Sequence, residues 1–116
     1  MSSQMPPGPP SPQTPASPQL DITWDAAKAA SNLAKHGVSF AQASTVLLDA
    51  LALTVFDAAH SEFEERWFTL GTSSTGSLLA VSHTYQHTGP IHVKVRLISA
   101  RPATRAERKQ YENEPR

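Results

Sequence analysis

The run IHVKVRLISARPATRAERKQYENE, residues 91–114, changes period in mid-course, and that change decides how the chain is built. Ile91, Val93, Val95 and Leu97 alternate with His92, Lys94 and Arg96, the two-residue repeat of a strand with one apolar side and one basic side. Pro102 has no N–H to give a ladder and closes the strand. Thr104 with Glu107 three residues on is a capping-box signature, so "RAERKQYENE" reads as a terminal helix. Arg96, Arg101, Arg105, Arg108 and Lys109 crowd into fourteen residues at this strand-to-helix junction.

Upstream, "ALTVF", "RWFTLGT" and "LLAVSHTY" are further β-rich runs, and the connections "DAAHSEFEE", "SSTGS" and "QHTGP" have hairpin length. Four such strands predict an antiparallel meander with one apolar face for the core and an opposite face carrying positive charge. Before them come two short helices. Asp25 stands as N-cap of "AAKAASNLAKH", whose narrow stripe is Ala26, Ala29, Ala30 and Leu33, and Gly37 follows as its C′ residue. Ser39 caps "FAQASTVLLD", in which Phe40, Ala43, Val46 and Leu47 share a face. "LDITW" supplies a short opening strand, and Trp24 and Trp67 read as core. The fold class expected is α+β: a small antiparallel sheet, a four-stranded meander plus the short N-terminal strand, packed with an N-terminal helical hairpin and a C-terminal helix.

Residues 1–19 hold seven prolines and no charged side chain, and are expected to form a disordered, polyproline-like tail ahead of one domain over residues 20–114. No secretory signal or membrane-length apolar run is visible, so a cytoplasmic location without membrane contact is expected. The absence of cysteine excludes disulfides, thiolate catalysis and thiolate metal sites. The five histidines follow no zinc spacing, so neither metal nor cofactor is expected. A formal net charge of zero hides a gradient. Residues 21–65 carry seven acids against Lys28 and Lys35, whereas residues 66–116 carry eight bases against three acids. A polyanion could therefore find a positive face at the C-terminal end, unless the two halves neutralise each other across the fold.

"WDAAKAASNLAKHGVSFAQA", "DAAHSEFEERWFTLG" and "VRLISARPATRAERKQYE", in that order, resemble the BrnT family of toxins from bacterial type II toxin–antitoxin pairs, over roughly residues 21–112. The resemblance implies a RelE-like fold and a metal-independent endoribonuclease that inhibits translation by cutting RNA. It also implies a ribbon-helix-helix (BrnA-like) antitoxin through which alone operator DNA is bound. One departure is Ser77, since many relatives carry a basic residue directly after that glycine. A non-catalytic nucleic-acid-binding module, or a degenerate toxin that retains only antitoxin binding, are the alternative readings.

Metal-free RNA cleavage needs a base for the 2′-hydroxyl, cations where phosphoryl charge develops, and a proton for the departing 5′-oxygen. Arginine suits the second task, because its planar fork donates two hydrogen bonds to phosphate and keeps its charge. The catalytic candidates are Arg66 and Arg101, with His36 or Glu65 as proton acceptor. The candidates for RNA contact are Lys35, His92, Lys94, Arg96, Arg105, Arg108 and Tyr111. The competing reading pairs the arginines with Glu62, Glu64 and Glu65, makes His36 a helix-end dipole partner, and has Tyr111 anchor the last helix.

Overall fold

The computed structural model describes residues 19–115, so the expected tail lies, apart from Gln19, outside the described residues. Its elements are β1 (Gln19–Thr23), α1 (Ala26–His36), α2 (Phe40–Ser44), β2 (Leu53–Phe56), β3 (Trp67–Thr72), β4 (Leu78–His83), β5 (Gln86–His87), β6 (His92–Pro102) and α3 (Arg105–Asn113). The sheet runs β1-β6-β4-β3-β2, with β5 prolonging the β4 edge against β6. Strands β2, β3, β4 and β6 form the expected antiparallel meander. Strand β1 joins it in parallel, Gln19 opposite His92 and Thr23 opposite Arg96. The fold is α+β.

The helix ends follow the cap chemistry in the sequence. Asp25 accepts from the Lys28 N–H at 2.9 Å, and Gly37 takes φ +71°, where a side chain would be strained. Ser39 accepts from the Gln42 N–H at 3.0 Å to start α2. The expected helix through Asp49 stops early, tightening into a 3₁₀ turn over Thr45–Leu48. The reason is the Asp49 carboxylate, which leaves the helix to accept the N–H groups of Leu51 and Thr72.

Both faces of the sheet have a core, which corrects the expectation of one apolar and one charged face. On one face Phe40, Ala43 and Val46 pack on Leu79, Val81, Val93, Val95, Leu97 and Ala100. On the other, Leu70, Leu78 and Ala80 form a smaller core with Phe68 and Tyr111 of α3. The α1 stripe is also corrected. Ala26, Ala30 and Leu33 are exposed, and the inward positions are Ala29 and Asn32. Buried Asn32 donates to the carbonyls of Val38 and Ala100 at 2.9 and 2.8 Å and accepts the Ala100 N–H at 3.0 Å. Its amide thus replaces a neighbouring strand where β6 runs on past β1. Trp24 is not core either; it is 40% exposed, edge-on to Phe40 at 6.1 Å.

Candidate nucleic-acid interface

Ser82 pairs with Ser99 but His83 pairs with Leu97, so Ile98 is an extra residue in β6. In a regular strand, residues five apart point to opposite faces. The bulge reverses that parity, so Leu97 and Ala100 share one core and Arg96 and Arg101 share the other face. Arg101 lies over the Phe68 ring, its guanidinium carbon 5.8 Å from the ring centroid.

Across that face the register sets the rows. Leu70, Ala80 and Arg101 form one row, and Phe68, Ser82 and Ser99 the next. Below them Thr84 faces Arg96, the two joined by Thr84 N–H to Arg96 C=O at 3.0 Å and Arg96 N–H to Thr84 Oγ1 at 2.9 Å. Arg66, next before Trp67, extends the β2–β3 pairing, its carbonyl accepting the Asp57 N–H at 2.8 Å. Strand alternation puts Arg66 on the Phe68 side, level with Arg96 and two strand spacings away, about 10 Å. Helix α3 covers the upper rows and leaves the lower ones open. There a cavity of about 640 Å³ is lined by Thr23, Glu64, Glu65, Gln86, Lys94 and Arg96 among others.

The three arginines differ in what holds them. Arg96 is ion-paired to Glu64, the carboxylate partner named in the competing reading. Arg101 makes a two-pronged pair with Glu107, Nη1 to Oε1 at 2.8 Å and Nη2 to Oε2 at 2.9 Å. That hydrogen-bonded pair raises the Arg101 pKa and holds the Glu107 carboxyl down at about 2. Oε1 also accepts the Thr104 N–H at 2.8 Å, completing the capping box of α3. Arg66 is different. Its Nε is buried, and among the described residues its guanidinium has no hydrogen bond or ion pair.

Of the other candidates, exposed Glu65 and Lys94 border the open cavity with Arg96. His92 is half-buried at the far end of β6, two residues from Lys94. Lys35 and His36 end α1, one turn beyond Asn32, and do not line this cavity. Arg105 is exposed at the start of α3, and Arg108 reaches Glu112 at 3.8 Å. The Tyr111 hydroxyl donates to Asp49 and accepts from Thr72, which is the anchoring role. Ser77 sits in the β3–β4 turn at the opposite end of the sheet, its N–H on Ser73 Oγ at 3.2 Å. Among the described residues no three His, Asp or Glu side chains gather in a way that could hold a metal ion.

His83 was not singled out from sequence, although Leu79, Val81 and His83 fall on one phase of a strand whose apolar side faces the core. It is buried, with Nδ1 2.8 Å from the Thr84 carbonyl and Nε2 2.7 Å from Thr69 Oγ1. A carbonyl only accepts, so Nδ1 carries the proton and Nε2 takes the Thr69 hydroxyl hydrogen. Burial pushes its pKa below 6.5.

A helix-backed, mainly antiparallel sheet with guanidinium groups on a half-open face defines a small α+β protein. The family model described as "Ribonuclease toxin, BrnT, of type II toxin-antitoxin system" matches residues 24–107, and the chain belongs to that family. The matched span includes Arg66, Arg96, Arg101 and Glu107. Among solved structures, the chain is similar to the crystal structure of the Brucella abortus ribonuclease toxin BrnT, at 26% identity and a TM-score of 0.52, covering 75% of this chain and 100% of that one. A search of curated proteins found no match.

Proposed function

We propose that this chain is an endoribonuclease toxin that cuts RNA without a metal ion, inhibits translation, and is neutralised by a ribbon-helix-helix antitoxin that alone contacts operator DNA. The observation that carries the reading is Arg66, whose Nε is buried and unbonded among the described residues. It does not itself line the cavity of Lys94 and Arg96, but strand alternation puts it on the same side of the sheet, one row from that cavity. A buried donor without a partner is rare, and a phosphate oxygen is the partner its charge calls for.

The chemistry follows from the positions. The 2′-oxygen bonds to phosphorus as the bond to the 5′-oxygen breaks, leaving a cyclic phosphate and a free 5′-hydroxyl. Arg66 binds the non-bridging oxygens as their charge grows, and Arg96 joins it by exchanging Glu64 for phosphate. Glu65, on the rim of the same cavity, accepts the 2′-proton; His36 is the weaker choice because it does not line that cavity. Arg101, stacked on Phe68 and bound by Glu107, adds field from above. The 5′-oxygen takes its proton from water.

Incubating the purified chain with RNA in excess EDTA tests this. Fragments ending in cyclic phosphate, lost in Arg66→Ala, are expected; intact RNA would overturn it. Carboxylates on Arg96 and Arg101 favour a second reading, a binding module without catalysis. That reading expects salt-sensitive RNA binding with no cleavage.

A further inference from the structure

Strand β2 is the outermost strand on its side of the sheet, and among the described residues no strand lies beyond it. The Asp57 N–H donates to the Arg66 carbonyl at 2.8 Å, and these two residues stand opposite each other, next after the Phe56–Trp67 pair. Alternation then turns the N–H and C=O groups of Leu53 and Val55 towards β3 and those of Thr54 and Phe56 outwards. Edge strands are ordinarily guarded by lysine or proline. This one is not, since residues 37–65 hold no lysine, arginine or proline. Its side chains are apolar instead: Val55 is 54% and Phe56 47% exposed, and Leu48, 76% exposed, lines a cleft at the same edge.

The edge is complementary to itself. Two antiparallel β2 strands related by a two-fold axis through Val55 place Thr54 of each copy opposite Phe56 of the other, and their outward N–H and C=O groups close four main-chain hydrogen bonds. Val55 then meets Val55 across the axis, a β-branched pair about 4.5 Å apart between Cα atoms. Thr54 lines the cleft, about 370 Å³ in volume, together with Leu47, Leu48 and Ala52. Directly opposite residues project from the same face of a sheet, so the Phe56 ring of one copy enters the cleft of the other. One side of that ring rests on Trp67, at 5.3 Å between centroids, and its exposed part is left for the cleft. Asp57 falls opposite Leu53 of the second copy, which keeps the two Asp57 residues four positions, about 13 Å, apart along the strands.

We propose that the outer edge of β2 joins two copies of this chain into a dimer with one continuous sheet. The pairing uses the same edge on both copies and therefore closes at two. The cavity assigned to RNA is lined from β1, β6 and the segments that follow β4 and precede β3, with no residue of β2. Pairing across the β2 edge leaves that cavity open in each copy, and both copies present it on the same side of the joined sheet. Two four-residue strands and their side chains bury less than about 1,200 Å², so association is expected at micromolar concentration.

The chain has no cysteine, which allows a direct test. In Val55→Cys the two introduced thiols face each other with their Cα atoms inside disulfide range, whereas in Thr54→Cys the Cα atoms stand roughly 8 Å apart, too far to bridge. Under mild oxidation at micromolar concentration, Val55→Cys is expected to form a covalent dimer at least about tenfold faster than Thr54→Cys. In sedimentation equilibrium the unaltered full chain should pass from monomer to dimer across the micromolar range, and Arg66→Ala should do the same, which separates dimer formation from RNA cleavage. Val55→Lys sets like charges directly opposite each other and should stay monomeric, with its circular dichroism and urea midpoint retained. An unaltered chain that remains monomeric throughout the range would overturn the proposal. So would cross-linking of Thr54→Cys as fast as Val55→Cys, or a dimer that survives Val55→Lys, because either result places the contact on another surface.

Discussion

Two residues carry more than their sequence context announces. Arg66 forms no hydrogen bond through its guanidinium among the described residues, so removing it takes away no hydrogen bond or ion pair and frees a buried donor from its desolvation cost, against a modest loss of packing by its half-buried stem. Arg66→Ala is therefore expected to lower single-turnover RNA cleavage by about 10² to 10³-fold while leaving urea stability unchanged or higher. Arg66→Lys should fall between, keeping charge without the fork. A large stability loss in Arg66→Ala would mean that the arginine is structural. Asn32 is the converse. Its three hydrogen bonds serve backbone groups of Val38 and Ala100, and Asn32→Leu leaves all of them buried and unpaired. A loss of about 2 to 4 kcal/mol in urea unfolding is expected, with cleavage per folded molecule retained. Sequence periodicity could nominate Arg66 through its charge, but it hid Asn32, because a polar residue within a helix reads as solvent-facing until a strand edge is known to lie beside it.

The elements themselves were legible in the sequence because each is written in local chemistry: caps at Asp25, Ser39 and Thr104, a left-handed glycine at position 37, and alternation through the strands. What could not be read was decided by distant pairing. The bulge at Ile98 that gathers Arg96 and Arg101 on one face, and the second core under α3, depend on how β4 and β6 meet. Arg101 and Glu107 also fasten α3 to that sheet, and this fixes a pH response. The Glu107 pKa is about 2 in the fold against an ordinary 4.5, so its stabilisation is present above 4.5 and lost as pH falls towards 2. Protection of the α3 amides, measured against their intrinsic exchange rate at each pH, should fall across that window, and Glu107→Gln should show the reduced protection at neutral pH. His83 works in the same direction at higher pH. Its folded pKa lies below 6.5, so protonation favours the unfolded chain and stability should begin to fall as pH drops through 6.5. Replacing His83 by Gln should flatten that part of the curve; an unchanged slope would show that another group titrates there.

At the scale of the whole molecule, the acidic first half and basic second half do not simply cancel. Of the Arg–carboxylate pairs among the described residues, Arg96–Glu64 joins the two halves, whereas Arg101–Glu107 and Arg108–Glu112 lie within the second. Among the described residues, Arg66 and Lys94 have no ion-pair partner. Phosphate contacts there release counterions, and three cations engaging single-stranded RNA predict a slope of log affinity against log salt of about −2. Lys94→Ala should make that slope shallower by about 0.7 without altering the fold. The same surface sets how a partner would silence the toxin. On the proposed reading, covering Arg66, Lys94 and Arg96 with an antitoxin segment would block the scissile phosphate directly, and acidic side chains in that segment would replace the phosphate charge. RNA and antitoxin should then exclude each other: titrating antitoxin into a toxin–RNA complex should release the RNA in proportion to occupancy. Arg66→Ala and Lys94→Ala should weaken both partners together. A stable ternary complex, with RNA held and uncut, would instead require inhibition from the opposite side of the sheet, the one covered by α1 and α2.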